Sequence, residues 1–130
     1  MKIRNGFVSN SSSSSFVVCK IGLDEFKINV VKNHIEYALK IAQDKNIKKQ
    51  QYGYDIFGLW DEHDEWKYVE SDHLILLYSD MDNFEISVFL NTMGIKGTYH
   101  YDEYLEEEEA QLIVHKLEEN YEEFLPQKKI

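Results

Sequence analysis

The sequence predicts an α+β domain with a small, mainly antiparallel sheet and about three helices, the longest of them C-terminal. Two short runs rich in β-branched, aromatic or leucine side chains, at residues 16–21 and 73–78, have the length of strands rather than of helices. Two longer segments, residues 30–43 and 105–125, repeat their apolar residues with the 3.6-residue period of an amphipathic helix. A chain of 130 residues, 43% of them hydrophobic, has the size of one compact domain, so we expect residues 1–130 to share a single core.

Four segments are expected to build the sheet. They are residues 16–21, the aromatic segment around Tyr52, residues 67–70 and residues 73–78. The charged residues 61–65 lie between two tryptophans and predict a polar turn within a hairpin. Residues 1–15 end in five serines, which offer no side chain to a core and compete for their own backbone hydrogen bonds, so they predict a loop.

Three helices are expected to cover the sheet. The first spans residues 30–43, and the lysine-rich stretch that follows it complements the negative end of the helix dipole. Asp82, with Glu85 three residues later, has the pattern of a helix N-cap, and Gly94 is placed to end that second helix. Pro126 is placed to end the third helix. That helix is expected to bury an apolar stripe made of Leu105, Leu112, Ile113, Leu117, Tyr121 and Phe124.

Charge is distributed very unevenly along the chain. The net charge is -10, yet residues 1–60 hold nine Lys or Arg against five Asp or Glu, while residues 61–130 hold five against nineteen. Such a field repels nucleic-acid phosphates and anionic lipids and attracts basic surfaces. We therefore expect a protein partner with a basic surface, and no direct binding of nucleic acid. No apolar run approaches the roughly 18 residues of a membrane span, so no membrane insertion is expected.

The sequence carries no recognisable catalytic signature and indicates no cofactor. It lacks a nucleophile elbow, a phosphate-binding glycine loop and a dinucleotide fingerprint, which leans against an enzyme without excluding one. Cys19 is the only cysteine, and the N-terminus lacks the apolar stretch of a secretory signal. These features predict a cytoplasmic protein. His34 and His115 lie among apolar helix positions and are expected to be packing or helix-edge residues rather than bases.

The acidic C-terminal half carries the leading functional hypothesis, a surface for a basic partner. Carboxylates on a rigid helix speed encounter with such a partner, and suitably spaced carboxylates can imitate the phosphates of duplex DNA. A solvated helix face is the simpler interpretation, because glutamate is a good helix former and a solubilising residue. The charge asymmetry keeps the binding hypothesis open. The candidate partner-binding residues are Tyr101, Asp102, Glu103, Tyr104, Glu106, Glu107, Glu108, Glu109, Glu118 and Glu122.

An alternative hypothesis is a metal-binding module or small metal-dependent enzyme. Histidine nitrogen and carboxylate oxygen are suitable ligands for zinc or another divalent metal. The candidate ligands are Asp61, His63, Asp64 and His73. Their spacing matches no established metal motif, so a charged turn between two tryptophans is the preferred interpretation.

The N-terminal segment MKIRNGFVSNSSSSSF, residues 1–16, resembles a segment found at the start of many otherwise unrelated small proteins of tailed bacteriophages and some bacteria. The resemblance ends at residue 16. It implies a phage setting, with the host-cell cytoplasm as location, and a portable tag that a processing, modifying or targeting factor reads. Under a third hypothesis the rest of the chain only carries this tag, and an ordinary polar loop is the alternative to a tag.

Overall fold

The computed structural model describes residues 14–51, 53–60, 65–79, 84–100 and 104–125, and this part of the chain has the predicted α+β fold. Its strands are β1 (Ser14–Cys19), β2 (Lys67–Glu70), β3 (Leu74–Ser79) and β4 (Thr98–Tyr99). They form one antiparallel sheet in the order β2-β3-β1-β4. The two six-residue strands lie at the centre, where Val17 pairs with Leu76.

The central strands are apolar on both faces because both faces of the sheet are covered. Alternate side chains of a strand point to opposite faces. Phe16 and Val18 of β1 belong to one core cluster, whereas Val17 and Cys19 belong to the other. This two-sided burial explains why neither strand shows the polar alternation of a half-exposed sheet.

Helices lie on both faces of this sheet. They are α1 (Glu25–Lys32), α2 (His34–Asp44), α3 (Ile86–Thr92) and α4 (Glu107–Glu118), and a short 3₁₀ helix, Tyr121–Phe124, follows α4. Residues of α1, α2 and α3 share the first core cluster, with Phe16 and Val18, and residues of α4 share the second. The sheet therefore separates α4 from the other three helices. Within the described residues, no helix has the length and apolar character needed to cross a membrane.

The single helix predicted for residues 30–43 is wrong, since two helices meet there at Asn33. The backbone N–H of Asn33 donates to the Asn29 carbonyl at 2.9 Å, and its φ of -121° departs from helical geometry. Val31 and Ile35, on either side of this break, belong to the same core cluster. The apolar period continues across the break because both helices pack on one core, and periodicity alone could not reveal it.

The other two helices are shorter than predicted. α4 with the 3₁₀ helix replaces a continuous helix over 105–125. α3 begins at Ile86, and the predicted cap at Asp82 lies outside the described residues, as does Pro126. Gly94 does end α3, with a φ of +79° that favours glycine, as predicted.

Three of the four predicted strand segments are confirmed, but the segment around Tyr52 is not a strand. Tyr52 itself lies outside the described residues, and residues 53–60 form turns in which Phe57 has a φ of +54°. The carbonyl of Phe57 accepts the backbone N–H of Glu85 at 2.8 Å, which fixes this turn against the start of α3. The fourth strand is β4, whose two residues are both exposed and so lack an apolar signal.

The loop prediction for residues 1–15 is wrong at its end, because Ser14 and Ser15 are buried residues of β1. Residues 1–13 lie outside the described residues. The turn predicted at 61–65 also lies largely outside them, and the hairpin that is present joins β2 to β3 through residues 71–73.

Candidate protein-binding site

The helix α4 packs on the sheet through small side chains. Ala110 and Val114 are fully buried against Val17, Leu74 and Leu76 of the central strands. Leu105, just before the helix, is also buried, as predicted.

Leu112 is the residue that departs from the predicted apolar stripe. It lies two positions from both Ala110 and Val114, which places it on the opposite side of a helix with 3.6 residues per turn. Its side chain is 73% exposed, whereas Ile113 and Leu117 are partly buried against the core. The prediction that Leu112 is a core residue is therefore wrong.

Leu112 has Glu108 and Glu109 one helical turn before it, and His115 and Lys116 one turn after it. Glu106, Glu107, Glu108 and Glu109 are all exposed at the start of α4, as are Glu119, Glu122 and Glu123 beyond it. Residues 104–125 hold eight glutamates and one lysine, a net charge of -7. The backbone N–H of Glu106 donates to Glu109 Oε1 at 3.2 Å, and carboxylates in a first turn interact favourably with the helix dipole. We call the exposed side of residues 104–123, centred on Leu112, the acidic face.

Glu118 is not part of the acidic face, although it was among the predicted partner-binding residues. Its Oε1 accepts the hydroxyl of Ser71 at 2.5 Å and the backbone N–H of His73 at 2.9 Å, and its Oε2 is bonded to His73 Nδ1. Partial burial alone would raise the pKa of this carboxyl, but these hydrogen bonds lower the pKa to about 2. Glu118 thus joins α4 to the β2–β3 hairpin.

Of the remaining predicted residues, Tyr104 is 55% exposed and Glu122 is exposed, both on the acidic face. Tyr101, Asp102 and Glu103 lie outside the described residues. The exposed side chains that the structure describes on this segment therefore include Tyr104, the glutamates at 106–109 and Leu112, and Tyr104 lies beside Lys67 and Tyr78.

Only one of the four predicted metal ligands is described. His73 bonds to Glu118 through Nδ1, and its ring stacks on that of Tyr121 with 4.0 Å between centroids. Asp61, His63 and Asp64 lie outside the described residues. Among the residues that are described, no group of three His, Cys, Asp or Glu side chains could hold a metal ion.

A lysine-lined cleft on the other side of the sheet was not predicted. Lys40, near the end of α2, and Lys48 and Lys49, just after it, line an open cleft of about 700 Å³. Leu39, Ile47 and Tyr54 supply its apolar walls. The lysine-rich stretch after α2 is the sequence signal for this cleft. The helix dipole alone also accounts for lysines at that position, so the sequence does not predict a cleft.

No protein-family model matches this chain, and no curated protein or solved structure does so either. We therefore infer function from the geometry and charge of the surfaces described above.

Proposed function

We propose that this protein is a non-enzymatic binding protein whose acidic face engages a partner protein with a basic surface. The observation that carries the proposal is the exposure of Leu112 in the middle of that face. Leucine is itself a good helix former, and at this position it also adds an exposed apolar group beside the carboxylates of Glu108 and Glu109.

The surroundings of Leu112 have the anatomy of a binding hot spot. Glu108 and Lys116 lie one helical turn away on either side, and Tyr104 adds a second exposed apolar group near the start of the helix. Interface energy typically concentrates in a few apolar or aromatic anchors ringed by polar groups that exclude water. Leu112 is such an anchor, and the glutamates form its rim.

The glutamates supply attraction and selectivity rather than most of the affinity. A net charge of -7 over residues 104–125 steers a basic partner toward this face. The steering reaches about 8 Å at physiological salt, the Debye length there. Partners whose own basic surface binds nucleic acid fit this charge, and for them the acidic face would act as a competitor. The resemblance of residues 1–16 to phage proteins suggests an accessory role in an infected host.

The experiment is affinity capture from host-cell lysate at low and at high salt, followed by mass spectrometry. Wild type is compared with Glu108→Gln/Glu109→Gln, which removes two charges from the acidic face and keeps the shape of the side chains. The matched control, Glu25→Gln/Glu85→Gln, removes two exposed carboxylates elsewhere. We expect a specific basic protein that wild type and control retain at low salt and that the acidic-face variant loses.

Equal capture by all three proteins would contradict the proposal, and so would a partner that high salt does not weaken. In either case the bound protein would not be using the carboxylates of α4.

A further inference from the structure

The lysine-lined cleft is bordered by lysine ammonium groups whose charge the fold does not neutralise. Within the described residues, the ammonium groups of Lys40, Lys48 and Lys49 form no ion pair, although Glu36 also lines the cleft. Lys20 and Lys32, in contrast, both bind Glu70, at 2.7 and 2.8 Å. In a chain with 24 acidic residues, three unpaired lysines around one cleft are available to a carboxylate-bearing ligand.

The cleft also has an apolar component that a simple anion would not need. Leu39, Ile47 and Tyr54 are all partly buried and line it together with the lysines. Its occupant should therefore carry an apolar group beside its negative charges. The acidic face of this protein has that composition, with Leu112 one helical turn from Glu108 and Glu109.

We propose that the lysine-lined cleft of one copy binds the acidic face of a second copy. The proposal rests on the proposed function, because it names a partner for the same face. Leu112 enters between Leu39, Ile47 and Tyr54, and Glu108 and Glu109 face Lys48 and Lys49.

The two surfaces lie on opposite sides of the sheet, which determines the kind of assembly. The cleft is next to α2, in the layer of α1 to α3, whereas α4 covers the other face. An interface between two different surfaces is heterologous, so it propagates from copy to copy into a ring or an open filament instead of closing a twofold dimer. Each copy carries a net charge of -10, and this mutual repulsion keeps the association weak and reversible.

The test uses sedimentation velocity on the full chain and two variants that each disable one surface. The cleft variant is Lys40→Gln/Lys48→Gln/Lys49→Gln, and the face variant is Glu108→Gln/Glu109→Gln/Leu112→Ala. Wild type should form larger species as its concentration rises, and added salt should reduce them. Each variant alone should stay monomeric, because every contact needs both surfaces. The two variants mixed should form a 1:1 dimer and nothing larger, because one intact cleft and one intact acidic face remain.

A control that changes exposed lysines outside the cleft, Lys67→Gln/Lys96→Gln, should associate like wild type. A wild type that stays monomeric, or variants that fail to pair when mixed, would overturn the inference. The other candidate occupant of the cleft is a small anion, which a titration with inorganic phosphate followed by NMR tests. Phosphate binding at the three lysines of a monomeric protein would assign the cleft to a small anion and overturn the inference.

The failures of the two proposals are distinguishable. A monomeric protein whose acidic face still captures a different basic protein keeps the proposed function and loses this inference. If wild type associates and both variants do so equally on their own, the acidic face is not the contact and the inference fails whatever the capture experiment shows.

Discussion

His34, the first residue of α2, is fully buried, and both of its ring nitrogens are bonded to backbone groups. Nδ1 lies 2.7 Å from the carbonyl oxygen of Val31, and Nε2 accepts the backbone N–H of Trp66 at 2.9 Å. The ring is therefore the neutral tautomer with its proton on Nδ1. Burial lowers the pKa of His34 to about 4, even though the bond to Val31 acts in the opposite direction. The expectation that this histidine packs in the core is confirmed.

Mild acid should weaken the fold through His34. Its pKa is 6.5 in an open chain and about 4 in the fold, so its neutral ring contributes full stability above pH 6.5, and this is lost as the pH falls toward 4. The expected loss in the free energy of unfolding is about 2 kcal/mol at pH 5. Urea unfolding above pH 6.5 and at pH 5 measures this loss. The free energy of unfolding of His34→Gln should differ clearly less between the two conditions. Equal pH dependence in the two proteins would refute this role.

At the scale of elements, the hydrogen bonds of Glu118 hold the end of α4 to the β2–β3 hairpin. Glu118→Gln should lower the free energy of unfolding by roughly 1–2 kcal/mol, because a charged acceptor of three hydrogen bonds becomes neutral. The neighbouring Glu119, which is exposed, provides the control: Glu119→Gln should change stability by less than about 0.5 kcal/mol. Denaturant unfolding of both variants near neutral pH distinguishes the two residues. Since the pKa of Glu118 is lowered to about 2 from 4.5, its contribution is present above pH 4.5 and lost below it.

The central strands and the C-terminal position of the longest helix could be predicted, because each depends on apolar pattern. The features that the apolar pattern did not predict have other causes. The break at Asn33 leaves the apolar stripe intact, and β4 is an exposed pair of residues held by β1. Gly97 just before β4 shows how this edge is fixed: a Cβ there would lie 2.4 Å from the ring of Phe16, so only glycine allows the strands to approach.

The candidate site was predictable in its charge and not in its geometry. Composition indicated an acidic surface at residues 101–122, but only the packing of Ala110 and Val114 shows that Leu112 faces outward. The helical period allowed Leu112 on the apolar stripe, since it follows Leu105 by seven positions and directly precedes Ile113, but Leu105 lies before α4 begins. Likewise, Glu118 was indistinguishable from its acidic neighbours until its bonds to Ser71 and His73 were visible.

At the scale of the whole molecule, the sheet divides the protein into two electrically different sides. The layer of α1 to α3 carries the unpaired lysines of the cleft, and the layer of α4 carries a net charge of -7 over residues 104–125. This separation allows two kinds of partner. A different basic protein would use the acidic face alone, whereas a second copy would use both sides and extend into a chain.

The most direct test of the account is the dissociation constant for the captured partner, whether that is a second copy or another protein, measured for Leu112→Ala and for Val88→Ala. Both are exposed aliphatic residues on helices, at 73% and 49% exposure, so neither change should harm the fold. Loss of a hot-spot anchor should weaken binding by about tenfold or more, which corresponds to 1.4 kcal/mol, and only Leu112→Ala should show it. Equal affinities for both variants and wild type would contradict the central claim, because the acidic face would then bind through charge alone or not at all.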